Sequence, residues 1–155
     1  MSDATVMSLF DSIDEHEIQG AQLARQQASS QIVRDYADRL AREHAELHMQ
    51  KQVLADRLHM QPQQSPLTLR MEAANQEMLA SLTKESGLDF DRAYVDYQIA
   101  LHNEALDIVE DTAITDPRLK QQLLESRPDL LAHAAKARSL RQQLPVTSAR
   151  ALSKR

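Results

Sequence analysis

The chain has 155 residues, 42% apolar and 26% charged, which suits one globular domain and excludes a disordered chain. The absence of cysteine excludes disulfides, thiolate nucleophiles and cysteine-ligated metals, and a net charge of -5 argues against a nucleic-acid partner. Only 2 Gly, 5 Pro and 3% aromatics, beside abundant Ala, Leu, Gln, Glu and Arg, point to helices rather than sheet.

A first helix is expected from Ser2 or Asp3 to Gln27, capped by Asp3, with Val6, Leu9, Phe10, Ile13, Gly20, Leu23 and Ala24 on its apolar stripe. Ser30 then caps a second helix reaching about Met60, a rod roughly 45 Å long. Gln61 to Pro66 reads as a linker. A shorter third helix runs from Leu67 to Ser86 and is closed by Gly87 in a left-handed cap. The fourth, Asp89 to Ile114, has the widest apolar arc. Asp116 caps and Pro117 opens the fifth, which Pro128 is expected to kink or break before it resumes as Asp129 to Leu144.

These elements predict an all-α fold: an antiparallel four-helix bundle with one additional shorter helix. Residues 1–144 form its single domain, and residues 145–155, with Arg150, Lys154 and Arg155, form a frayed basic tail. No apolar run approaches the roughly 20 residues of a membrane span. Met1 to Phe10 lack the basic-then-apolar pattern of an export signal.

Each long helix carries one ionisable group on its apolar stripe. Glu17 follows Ile13 at four and precedes Gly20 at three; His44 sits between Leu40 and Leu47 in the same way. His102 interrupts Ile99 and Leu106, and His133 interrupts Leu130 and Ala137. Counting from the turns leaves Glu17 against His44, and His102 against His133, each about 6 Å out of level, roughly one helical turn. Long side chains span part of that gap. Three imidazoles and a carboxylate suit iron, zinc, copper or nickel, and bundle metal sites are built from inward residues on facing helices.

Around this set, Glu43 and His48 are outer candidates: Glu43 borders the stripe, and His48 stands four residues from His44 but points away. Asp14, Glu15 and His16 read as an exposed acidic patch, and Tyr94 and Tyr97 as packing. No Glu has a His three residues on, so the di-iron carboxylate pattern is absent. No Ser-His-Asp set, phosphate loop or HExxH appears, so nothing is assigned as catalytic or as binding an organic cofactor.

The segments HEIQGAQLARQQASSQIVRDYADRLAREHAEL (His16 to Leu47), GLDFDRAYVDYQIALHNEALDIVE (Gly87 to Glu110), and DPRLK with RPDLLAHAAKARSL (Asp116 to Leu140) resemble a bacterial family. It is the "domain of unknown function" family numbered forty-one forty-two, whose members are described as exported and ferritin-like. FDRAY followed by an inward His is the most specific match. The resemblance implies recurrent polar positions at Glu17, His44, His102 and His133. The family often has Asp before the second-helix and fourth-helix histidines, where this chain has Glu43 and Leu101. It also implies a periplasmic or cell-envelope location.

Two functions stay open at this point. One is a transition-metal-binding bundle in a storage, sensing or stress-related role. The other is a structural or partner-binding module whose inward Glu and His form a polar core network; a homo-oligomer is compatible with both. An enzyme is the least supported reading.

Overall fold

The computed structural model describes residues 1–61, 63–111 and 113–146. Five helices account for them: α1 (Asp3–Gln27), α2 (Gln31–Arg57), α3 (Pro66–Leu82), α4 (Gly87–Asp111) and α5 (Pro117–Gln143). Four are 25 to 27 residues long and α3 has 17, so the all-α bundle expected from composition is the fold. From residue 147 on, the expected basic tail lies outside the described residues.

Side-chain pairs give the helix directions. Arg25 meets Asp38, Asp14 meets His44, and Asp11 meets His48, so partners descend α1 as they climb α2. Asp96 with Arg141, Asn103 with Arg138, and Glu110 with Arg127 show the same for α4 and α5. Ala28 pairs its backbone with Gly87 at one end, and Glu17 reaches His102 further along, so α1 and α4 are antiparallel too. It follows that α2 and α4 run the same way.

The chain must therefore return the length of the bundle between them. The segment containing α3, about 25 Å of helix, makes that return across α1 and α4. One long crossover of this kind is a recognised way of closing a four-helix bundle.

The core is aliphatic and aromatic, with Val6, Leu9, Ala24, Val33, Leu40, Phe90, Tyr94, Val95 and Leu119 all fully buried. Phe90 and Tyr94, one turn apart, lie parallel with ring centres 6.2 Å apart. At Gly20 an added Cβ would come within 3.1 Å of the Tyr97 ring, so a glycine lets α1 and α4 approach.

Local signals were assigned differently in four places. Ser2, not Asp3, caps α1, accepting from the Thr5 amide at 3.2 Å. Asp3 reaches across the chain instead, accepting from the Thr115 amide and hydroxyl and from the Asp116 amide. Ser30 holds the cap position of α2 without a side-chain bond, and Asp91 of α4 accepts from its backbone amide. Helix α3 stops at Leu82, four residues short of expectation, and Gly87 uses its left-handed φ of 58° to open α4.

The fourth place is Pro128, which does not break α5. It deprives the Leu124 carbonyl of a helical partner, but Leu124 is half exposed, so water can reach that turn. Leu123 and Leu130, buried on either side, hold both halves of the helix to the core.

Candidate metal centre

The stripes bring their polar groups to the bundle axis, where Glu17, His44, His102 and His133 are 0%, 1%, 0% and 2% exposed. The three imidazoles meet. Their ring centres are 5.1 to 5.6 Å apart, and one nitrogen from each lies within 4.8 Å of the other two.

Each ring is held from behind. His44 Nδ1 donates to Asp14 Oδ1 at 2.9 Å. His102 Nδ1 donates to the Gln98 carbonyl at 2.9 Å, one helical turn back on α4. His133 Nε2 donates to Glu43. An acceptor at one nitrogen places the proton there and leaves the other as a bare lone pair. Those other nitrogens, His44 Nε2, His102 Nε2 and His133 Nδ1, are buried and have no hydrogen-bond partner.

Glu17 stands outside the trio. Its Oε1 lies 3.2 Å from His102 Nδ1, on the side of the ring that faces Gln98, and neither carboxylate oxygen is hydrogen-bonded. Burial pushes its pKa up to about 7, against the charge of His44 and the pull of the neighbouring Gln98 amide. Burial likewise pushes His102 down to about 3, and His133 down despite Glu43. His44 goes the other way. Burial opposes its charge, but the bond to Asp14 and the charges of Glu17 and Asp14 outweigh it.

The outer candidates separate. Glu43 binds His133 from behind while pairing with Arg39 at 2.7 Å, so it acts on the cluster through a ring. His48 stays out, near Asp11 at 3.5 Å and Gln52 at 2.8 Å.

Asp14 and its partner Lys51 are residues that sequence reasoning missed. Asp14 does not belong to an exposed acidic patch: it is 2% exposed, His16 is buried as well, and only Glu15 of that trio faces water. Its second oxygen pairs with Lys51 at 2.5 Å, and Lys51 is 3% exposed. The spacing was informative, because Phe10, Asp14, Glu17 and Ala21 fall at four, three and four on one face. The one-turn mismatch between Glu17 and His44 marks the same fact, since the residue a turn back from Glu17 is Asp14.

The arrangement offers three imidazoles converging from α2, α4 and α5, each backed at one nitrogen by an acceptor. Burial favours the neutral form of His102 and His133, while His44, whose charged form Asp14 and Glu17 favour, would release a proton on binding an ion. Tetrahedral zinc, with bonds of about 2.0–2.1 Å, puts nitrogens about 3.4 Å apart, so the trio needs to close by rotamer adjustment of an ångström or so. The donor set fits zinc, copper or iron.

The model of the domain of unknown function DUF4142 matches residues 1–140, nine-tenths of the chain. The chain belongs to this family. No curated protein and no solved structure matches it. The span matched to DUF4142 holds all three histidines, Glu17, and the Asp14, Gln98 and Glu43 groups behind the rings. The FDRAY segment that carried the likeness turns out to join helices: Asp91 ties the α1–α2 turn to α4, while Phe90 and Tyr94 stack in the core. No helix among the described residues is long and apolar enough to cross a membrane.

Proposed function

We propose that this protein binds one transition-metal ion through His44, His102 and His133. The observation that supports it is the set of three buried, partnerless ring nitrogens facing one another while the opposite nitrogen of every ring is held. A buried polar network that served the fold alone would turn its lone pairs toward donors. Here the donors point outward and the lone pairs inward. Backing of metal-ligating histidines by carboxylates and carbonyls is the usual way such rings are oriented and made more basic.

In this reading Asp14 with Lys51, and Glu43 with Arg39, orient two of the rings as pairs whose charges cancel. Glu17, buried beside His102, has no Lys or Arg paired with it among the described residues. The ferritin-like character and cell-envelope location implied by the family likeness suit a storage or stress-related role.

The test is elemental analysis of gently purified, untagged protein before and after exposure to zinc, copper, iron and manganese. One equivalent of metal, lost in His102→Ala with helix content intact, is the expected result. Metal no higher in the wild type than in His102→Ala sinks the proposal. The trio would then be a polar core network of a helical scaffold, and its histidines would matter only to stability.

A further inference from the structure

A cavity of about 370 Å³ lies where the crossover helix α3 rides over α1 and α4. That size is within the usual range for small-molecule sites. Its walls are Met71 and Met78 from α3, with Tyr97 and Leu101 from α4. Asn75 projects from α3 between them and is 6% exposed. The amide oxygen of Asn75 accepts from the Tyr97 hydroxyl, which fixes the orientation of the group. Its Nδ2 has no partner and is covered in the unliganded protein, so a ligand oxygen reaches it once the adaptable side chains lining the cavity shift. A buried amide donor left unmade costs free energy that a bound acceptor would recover.

Arg70 and Glu104 line the cavity from exposed positions with opposite charges, and buried His16 of α1 lines it with its pKa held down by burial, so the lining favours neither an anion nor a cation. Methionine walls are soft and adapt to flat aromatic surfaces. We infer that this cavity binds a neutral aromatic molecule carrying a carbonyl oxygen, with the ring system between Met71, Met78 and Leu101 and the oxygen accepting from Asn75 Nδ2. The site is distinct from the histidine trio and does not depend on metal.

Prodan, a neutral naphthyl ketone whose emission reports both burial and hydrogen bonding at its carbonyl, is a suitable probe. Titration of the full chain should give saturable, blue-shifted emission with one equivalent bound. Asn75→Asp keeps the acceptor for Tyr97 and removes the donor, so affinity should fall at least about tenfold, the scale of one lost hydrogen bond. Ala74→Trp, at an exposed position lining the cavity, should fill it and lower affinity as much without touching the core. Circular dichroism confirms that each variant is folded, and Ala74→Trp carries the test alone if Asn75→Asp loses helix. No saturable emission change, or affinity unaltered in both folded variants, overturns the inference.

Discussion

Asp91, which reaches from α4 to the α1–α2 turn, and Glu17, near the middle of α1, are equally hidden from water. Asp91 is saturated by its own chain: the Ser29 amide at 2.9 Å, the Ser29 hydroxyl at 2.5 Å and the Ser30 amide at 2.9 Å. Glu17 has only the neighbouring Gln98 amide to draw on its charge, and it lies against a ring whose own proton goes elsewhere. Each end of the bundle thus uses a carboxylate, buried Asp91 at one and partly exposed Asp3 at the other, to satisfy backbone donors near a turn, which is a service to the fold. The middle holds polar groups that the fold does not satisfy. Such groups are where binding is to be sought.

The strongest way to break this comparison is at the saturated end. Asp91→Ala removes three hydrogen bonds at once from a buried joint, and should cost roughly 3–5 kcal/mol in denaturant unfolding while leaving metal stoichiometry unchanged. A cost below about 1 kcal/mol would mean that the turn is held by packing instead.

The two regions should also answer pH in opposite senses. The folded-state pKa of Glu17 is raised from 4.5 to about 7, so the folded metal-free protein holds that proton longer than the unfolded chain does. Its contribution is therefore full below about pH 4.5 and is lost as pH rises toward 7. Asp3, at the end of the bundle, is the reverse. Burial opposes its charge, but the Thr115 and Asp116 donors win and lower its pKa, so its stabilisation is present above 3.8 and is lost on further acidification. Unfolding curves of Glu17→Gln and Asp3→Asn against wild type from pH 3 to 8 should show difference slopes of opposite sign; equal signs would undo the contrast.

Smaller effects sharpen the picture of the middle. Asp14→Asn keeps an acceptor for His44 but strands the Lys51 charge, and should weaken metal binding roughly tenfold to a hundredfold in competition with a chelator. Affinity untouched by that change would place Asp14 in the fold alone. The smallest effect is expected at Gly87, where an added Cβ meets nothing within 4 Å and only the positive φ matters. Gly87→Ala should cost about 1 kcal/mol in thermal unfolding, with metal binding intact.

These outcomes bear on what a single sequence can reveal. Helical periodicity exposed the inward groups because burial of Leu40, Val95 and Leu130 forces the face that also carries His44, His102 and His133. Relative height was harder. Counting from turns has an uncertainty of a turn, which is the distance between Glu17 and Asp14, and so the wrong carboxylate was set against His44. Lys51 was overlooked because a lysine on an apolar stripe reads as a stem lying along the surface, and only its partner explains its burial. The path of α3 was illegible for another reason: its few core contacts, at Met71 and Leu82, do not say which pair of helices they join.

That sparse attachment of α3 carries a consequence for hydrogen exchange. The helix touches the bundle along one side, through α1 and α4, and leaves Leu69 and Met78 largely open to water. Its amides should therefore exchange through detachment of the crossover as a unit, at lower free energy than those of α1 and α4. Because the histidine trio draws only on α2, α4 and α5, that opening can come and go without disturbing it. Any molecule that binds beneath α3 should slow exchange in α3 and leave the α2 and α5 amides around His44 and His133 unchanged.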